Sequence, residues 1–522
     1  MIPLFSVEQV READSYAISE LGIPGILLME NASAGIFNTV KEIYPDIPQD
    51  AAIGFVCGKG NNGGDGFAVA RHFINKGFKA IVIYLADEKE LTGDALSNFL
   101  ILKKLIKTTD GSELIKYSSL ESLTKLEKCN IIFDALLGTG SKGKLKEPYE
   151  SIINEINSFS GISRIAIDIP TGLDADTGSG ETVFKAEATV TLAELKRGLF
   201  INRGASSAGK VYKGYIGIPG AYFDRFEIDE YIIEPEDAIS GLPKKASDIY
   251  KYSAGKVLVI AGSADYPGAP VMTSYSVLRS GAGACFLCYP ASARELVQLK
   301  LDEVIVQPYD DKGTGILRKG NIEEISKRFD WMDCLAIGPG LGRAKDTIEA
   351  VVEIIGKNAG KRIVIDADAI FALGEGRYKD LDLSNSIFTP HSAEFAHLLG
   401  IKLSELQSDP LKYGKEFTSE TGSFLVLKGA PSVIFNPAGE AFVNSTGNPG
   451  MAKFGTGDVL TGIIAGIISQ SNGIEDGLIT SVYLHSLSAD LLLKEKTEFG
   501  IMATDIINNL PNAIKFLRKS CV

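Results

Sequence analysis

Short apolar runs recur along the chain, each closed by a glycine, proline or acidic residue and followed by a stretch whose apolar positions repeat every three to four residues. The runs predict strands buried on both faces and the stretches amphipathic helices, the alternation of a mostly parallel sheet covered by helices. Ser6 with Gln9 forms a capping-box pattern for a helix through Val7, Val10, Ala17 and Leu21 that stops at Gly22, and a second helix is expected after Pro24. From residue 51, AAIGFVC, GKGNNGGDG, FAVARHFINKG and AIVIYLA read as strand, glycine turn, helix and strand; NIIFDALL, RIAIDIP and KVYKGYIGIPG extend the series. An acidic, irregular stretch, FEIDEYIIEPEDAISGLPKKASD, interrupts it. The alternation then restarts at KVLVIAGS and continues through ACFLCYP, DEVIVQP, DCLAIGPG, RIVIDAD, SIFTP, SFLVLKG, PSVIFNP and EAFVNS, with helices last. Two α/β domains are expected, residues 1–235 and 236–522, with the boundary between residues 230 and 245.

At 522 residues the chain is too long for one core, and 45% hydrophobic with 23% charged residues is the balance of a folded protein. A formal charge of -13 argues against general affinity for nucleic acid or anionic membranes. No apolar run reaches the roughly 18 residues of a membrane span, so a cytoplasmic protein acting on small molecules is expected. Cys285 and Cys288 have CxxC spacing inside the apolar ACFLCYP, which reads as core strand rather than a metal or redox site.

The stretch NPGMAKFGTGDVLTG, residues 448–462, joins a glycine turn to a helix start. Gly455, Thr456 and Gly457 leave N–H groups at the positive end of a helix, a place for phosphate. Asp458 beside them suits a base that takes a proton from a hydroxyl attacking the phosphoryl group. The plain alternative is a tight turn with Asp458 as a helix cap. No GxxxxGK[ST] run occurs, so phosphate recognition rests on GTGD and on KG at Lys428. Gly58, Gly60 and Gly63 have GxGxxG spacing with Asp87 downstream, but Asn61, Asn62 and Asp65 among them are more than a dinucleotide loop needs. Asp134 and Asp168 end strands at the same sheet edge. Asn62, Asp134 and Thr171 offer oxygens for a hard cation while Asp168 stays free for proton transfer; alternatively each Asp caps the next helix. In the second half Ala269, Gly340, Asp366, Asp368, His391 and Lys428 follow strands, although His391 and the two aspartates also suit helix caps and Lys428 a solvated strand end.

With GKGNNGGDG, FDALLGTG, DIPTGLDADTG, YPGAP, GPGLG, VIDADA, TPH, VLKG and NPGMAKFGTGDVLTG in this order, the chain resembles the bifunctional NAD(P)H-hydrate repair enzymes, a YjeF-type epimerase joined to an ADP-dependent dehydratase. The resemblance implies an N-terminal Rossmann-like three-layer sandwich and a C-terminal ribokinase-like α/β/α domain. It implies a substrate hydrated at nicotinamide C6 as R or S epimers, the S form being dehydrated with ADP and Mg2+. Asn61, Asn62, Gly63, Gly64, Asp65, Gly138, Thr139, Gly140, Ser141, Lys142, Gly143, Lys144, Tyr149 and Asp168 would contact the hydrate in the first half. Asn62, Asp134 and Thr171 would hold K+. In the second half Ala269, Gly340, His391 and Asp458 would contact the hydrate, with Lys428, Gly429, Ala430, Pro431, Ser432, Thr456 and Gly457 on the nucleotide. Asp458 and Asp168 are the expected catalytic groups, and a homo-oligomer is the expected assembly. Phe454 and Ser392 depart from the family's usual small residue and proline. A ribokinase-like small-molecule kinase, or a first domain that only binds or assembles, are the competing readings.

Overall fold

A computed structural model describes residues 1–520. Contacts divide the chain into two compact units, Pro3–Ile228 and a second unit made from Asp229 onward together with Met1–Ile2.

In the first unit the Ser6–Gln9 capping box starts helix α1 (Val7–Ser19), and Pro24 precedes α2 (Gly25–Ile43). The strands are β1 (Ala52–Cys57), β2 (Lys79–Tyr84), β3 (Glu113–Lys116), β4 (Ile131–Ala135), β5 (Ser163–Ile167), β6 (Ala188–Leu192) and β7 (Lys210–Gly214). They pair in parallel in the order β3-β2-β1-β4-β5-β6-β7. Helices α3 (Asn61–Asn75), α4 (Gly93–Ile106) and α5 (Tyr149–Ser158) connect them. The order reverses between β1 and β4, so the loops leaving those two strands diverge and open a crevice at their carboxyl ends. Gly58 makes the turn out of β1 possible, since a Cβ there would sit 2.0 Å from the Leu136 carbonyl oxygen. Phe55 and Phe133 stack at 4.8 Å on one face of the sheet and join Phe73 in a dry core that fixes the neighbouring strands.

The second unit contains β8 (Glu230–Ile232), β9 (Lys256–Ile260), β10 (Ala284–Pro290), β11 (Ile305–Tyr309), β12 (Cys334–Ile337), β13 (Ile363–Ile365), β14 (Ser386–Phe388), β15 (Phe424–Leu427), β16 (Val433–Phe435) and β17 (Ala441–Val443). From β8 the order is β8-β17-β16-β15-β14-β13-β12-β9-β10-β11. The ladders from β15 through to β11 are parallel, and β16 pairs antiparallel with both β15 and β17. The site is framed by α6 (Gly268–Arg279), α7 (Lys345–Lys357), α8 (Asp368–Leu373), α9 (Ser392–Leu399), α10 (Thr456–Ile468), α11 (Ile474–Leu492) and α12 (Ala503–Ser520). Helix α10 is buried nearly all round: Val459, Ile463, Ile464, Ile467 and Ile468 are inaccessible, each side chain stabilising the fold by about 1.5–3 kcal/mol. Gly462 lets it touch α6, because a Cβ there would lie 2.2 Å from the Thr273 carbonyl oxygen. The start of α10 is thereby held on a rigid support. Among the described residues no helix is long and apolar enough to cross a membrane.

Several elements differ from the pattern reading. Helix α1 stops at Ser19, and Leu21 lies beyond it, exposed, where Gly22 turns the chain at φ +67°. Strands β3 and β6 fall where no strand was expected, and β8 is a strand inside the stretch expected to be irregular. Cys285 and Cys288 lie on β10, three residues apart and so on opposite faces; burial pushes both thiols up to about 12.

Candidate active sites

The crevice of the first unit is a cavity of about 510 Å³. Asn61, Asn62 and Asp65 reach it from the first turn of α3, Gly138, Thr139, Gly140 and Ser141 from the loop after β4, Tyr149 from the start of α5, and Asp168 from the end of β5. The other expected contacts lie elsewhere. A Cβ on Gly63 would meet the Gly58 carbonyl oxygen at 2.0 Å and one on Gly64 would meet Met29 and Ala95, so both let α3 pack closely. Lys142 and Lys144 are exposed beside Asp176, Glu150 and Glu181, with Gly143 between them at φ +75°. Asp87 pairs with Lys116 and caps a short turn, away from the cavity lining.

Asp134 caps no helix. Its Oδ2 accepts the Thr171 N–H at 2.6 Å, and its Oδ1 accepts the Thr171 hydroxyl at 2.7 Å and the Leu136 N–H at 3.1 Å; burial nevertheless pushes its carboxyl up to about 6. Asn62 donates to the Leu137 carbonyl at 3.0 Å, and its own Oδ1 is buried without a partner. An orphaned amide oxygen near a carboxylate, a hydroxyl and a carbonyl is a set of oxygen donors that a hard cation satisfies.

Asp168 adopts φ +65°, a conformation that costs a non-glycine residue energy. Its Oδ1 accepts from the Lys196 ammonium at 2.6 Å, the Leu192 N–H at 3.0 Å and the Thr191 hydroxyl at 3.4 Å. Lys196 is 1% exposed and also lines the cavity. Asp65 is pushed well above the usual carboxylate range by burial, helped by Asp168 and Asp14. Asp14, Lys196, Arg11 and Lys59 were absent from the sequence expectation; all four line the cavity.

In the second unit every expected side chain follows one of the adjacent parallel strands or starts α6 or α10. Ala269 opens α6 and touches the place a Gly340 Cβ would occupy, at 2.9 Å. Asp366, after β13, accepts from Lys428 Nζ at 2.9 Å and from the Thr461 hydroxyl at 2.8 Å. Asp368 instead braces the glycine loop after β12, accepting from the Gly342 N–H at 2.8 Å and Arg343 Nε at 2.9 Å. Neither aspartate caps α8. His391 does cap α9, its Nδ1 accepting from the N–H groups of Ala393 and Glu394 at 3.2 and 3.3 Å. Lys428 is fixed by its own N–H on the Pro390 carbonyl at 2.8 Å, and Ser432 Oγ closes the following turn on the Gly429 carbonyl at 3.3 Å. Burial works against the Lys428 charge, yet Asp366, Glu394 and Asp458 more than offset it and raise its pKa.

Gly455, at φ +93°, turns the chain into α10. The Thr456 hydroxyl is spent on the Met451 and Lys453 carbonyls, so that residue offers main chain rather than side chain. Among the described residues no protein acceptor meets the N–H groups of Gly457 and Asp458. Lys428 Nζ lies 3.4 Å from where a Gly457 Cβ would be, so a bulkier residue there would press on the ammonium. Burial pushes Asp458 up to about 7, with Asp366 adding to the shift, Lys428 opposing it and Asp368 reinforcing it. A carboxylate that titrates near neutrality, an ammonium and free helix N–H groups therefore meet at one point. Phe454, just before the loop, is fully exposed.

The profile described as NAD(P)H-hydrate dehydratase matches residues 257–512, and that described as YjeF-related protein N-terminus matches residues 26–198. The bifunctional NAD(P)H-hydrate repair enzyme Nnr of Moorella thermoacetica is 33% identical over 99% of this chain and 97% of its own. The chain belongs to the bifunctional NAD(P)H-hydrate repair enzyme family. The Thermofilum pendens member is 32% identical over 98% of this chain and 96% of its own. A ribokinase-like superfamily protein from Enterococcus faecalis V583 is 28% identical with a TM-score of 0.50, covering 56% of this chain and 98% of that one. The second unit is accordingly ribokinase-like and the first a Rossmann-like parallel sheet. Asp14 precedes the matched YjeF-related segment and reaches the cavity from α1.

Proposed function

We propose that the first unit interconverts the R and S epimers of NAD(P)H-hydrate and that the second dehydrates the S epimer with ADP, releasing AMP and phosphate. As a member of its family the chain is a bifunctional epimerase and dehydratase. The observation that carries the dehydratase half is Asp458, poised between Lys428 and the open N–H groups of α10.

Hydroxide is a poor leaving group and phosphate a good one. The hydrate's C6 hydroxyl gives its proton to Asp458 and its oxygen bonds the terminal phosphorus of ADP, while the bond from that phosphorus to AMP breaks. The Gly457 and Asp458 N–H groups and Lys428 stabilise charge on the phosphoryl oxygens. The ring-nitrogen lone pair then expels phosphate from C6, and loss of a C5 proton restores the dihydronicotinamide. Mg2+ is counted with the nucleotide. Incubating the protein with R and S NADH-hydrate, ADP, Mg2+ and K+ should restore dihydronicotinamide absorbance from both epimers with one AMP and one phosphate per turnover. Accumulation of a phosphorylated alcohol instead would mean a kinase.

In the first unit Asp168 is the proton-transfer group at the hydrate. K+ fits at Asn62, Asp134 and Thr171, where it would supply a fixed positive charge. Asn62→Ala, which removes the orphaned oxygen, should raise the K+ concentration needed for half-maximal epimer exchange at least tenfold, and the gain in melting temperature from K+ over Na+ should vanish. A variant as responsive to K+ as the parent rules the site out.

A further inference from the structure

Asp14 forms no ion pair with any of the described residues. It lies on α1, lines the cavity and makes no hydrogen bond with any described residue, yet stands close enough to Lys196 and Asp168 for both charges to act on it. Lys196 is fully committed: its ammonium donates to Asp168 Oδ1 at 2.6 Å, to the Leu192 carbonyl at 2.6 Å and to the Thr191 hydroxyl at 3.1 Å. Every bond that Asp168 accepts falls on Oδ1, which leaves Oδ2 open to the cavity among the described residues. The cavity therefore holds three carboxyl groups with a free oxygen among the described residues: Asp168 from the sheet edge, Asp14 from a helix outside the sheet, and Asp65 from α3, whose pKa burial pushes well above the usual carboxylate range.

R and S epimers carry the C6 hydroxyl on opposite faces of the ring, so one carboxyl can serve only one of them. We propose that Asp14 is a catalytic residue of the epimerase, moving protons at one face of C6 while Asp168 does so at the other, with Lys196 the positioning residue that fixes Asp168. The inference rests on the epimerase reading of the first unit. In one direction Asp14 protonates the departing hydroxyl, the C6–O bond breaks, water leaves and the ring nitrogen lone pair closes an N1=C6 iminium. Water then adds to the other face of C6 and gives its extra proton to Asp168. The hydrate keeps its atoms and one proton has passed from Asp14 to Asp168, to be returned through solvent; the reverse reaction uses the two in exchanged roles.

Burial pushes Asp14 up to about 6, with Lys196 opposing and Asp168 adding, which places it where both protonation states are populated near neutrality. The charged and titratable groups that line the cavity with it are Lys196, Asp168, Asp65 and Tyr149 from other elements, Lys59 from the turn after β1 and Arg11 on its own helix. The test uses the full chain, the R epimer of NADH-hydrate and an epimer-resolving assay across pH. Asp14→Asn should slow exchange about 100-fold or more and abolish the limb of the pH profile near 6, while turnover of the S epimer with ADP is unchanged. Asp14→Glu should restore part of the rate together with a limb. A wild-type chain that exchanges no epimers sinks the epimerase reading itself. A wild-type chain that exchanges them while Asp14→Asn does so at the same rate, with its limb intact, overturns the proposal. If Asp14→Asn lowers the melting temperature, Asp14→Glu decides: restoring neither rate nor limb also overturns it.

Discussion

Asp458→Asn should cut phosphate release about 1000-fold while ADP affinity stays within a few-fold, the largest loss expected from any isosteric change in the chain. The amide keeps the shape of the turn and the Gly457 N–H, so nucleotide binding survives; what disappears is the proton acceptor. Because burial holds the carboxyl near 7, the wild-type rate should fall as pH drops through that value, and the residual rate of the variant should show no such limb. The same shift has a consequence for stability. A carboxyl whose folded pKa is raised ionises more readily in the unfolded chain, so the fold loses stability as pH rises from the unfolded value near 4 to about 7. Asp458→Asn removes that penalty: its melting temperature should exceed the wild type's at pH 8 and match it near pH 4. An inactive variant that is also less stable at pH 8 would mean the side chain holds the loop together rather than acting on the substrate.

Strands β9, β12, β13, β14 and β15 were legible because a parallel strand covered on both faces is an unbroken apolar run, and each ends in a glycine, proline or acidic residue that the crevice uses. Position in such a sheet follows from order, so Asp366, His391 and Lys428 could be expected at one edge before any contact was known. What stayed hidden had polar side chains doing buried work. In β6, Thr189 and Thr191 are inaccessible, the first donating to the Ala208 carbonyl at 2.7 Å and the second bonded to Lys196 and Asp168. Alternating threonines broke the apolar run, the strand went unread, and Lys196 in the turn after it was missed. Asp14 was invisible for another reason: an amphipathic pattern shows which side of α1 is apolar but not which of its polar residues looks into a cavity. The two aspartates of VIDADA show the limit of motif reading, since neighbours in sequence face different partners: Asp366 holds Lys428 and Thr461, whereas Asp368 holds the Gly342 and Arg343 loop.

Lys428→Met should be the second most damaging change and should act in two ways at once. Asp366 is 1% exposed, and its remaining side-chain partner would be the Thr461 hydroxyl. Stripping one member from such a pair leaves an uncompensated buried charge, at a cost of about 3 kcal/mol at the low end of the usual range, because Lys428 itself keeps some contact with solvent. The loss should appear as a lower melting temperature at pH 8. Asp458 also loses the one positive charge that opposes its upward shift, so the acid limb of dehydratase turnover should move above 7. With an ammionium gone from beside the phosphoryl group, kcat should fall roughly 100-fold, and Lys428→Arg, which keeps the charge, should recover the limb more fully than the rate. If Lys428→Met instead raises only the KM for ADP, with the limb still at 7, the lysine belongs to nucleotide binding alone and Asp458 draws its proton affinity from burial without it.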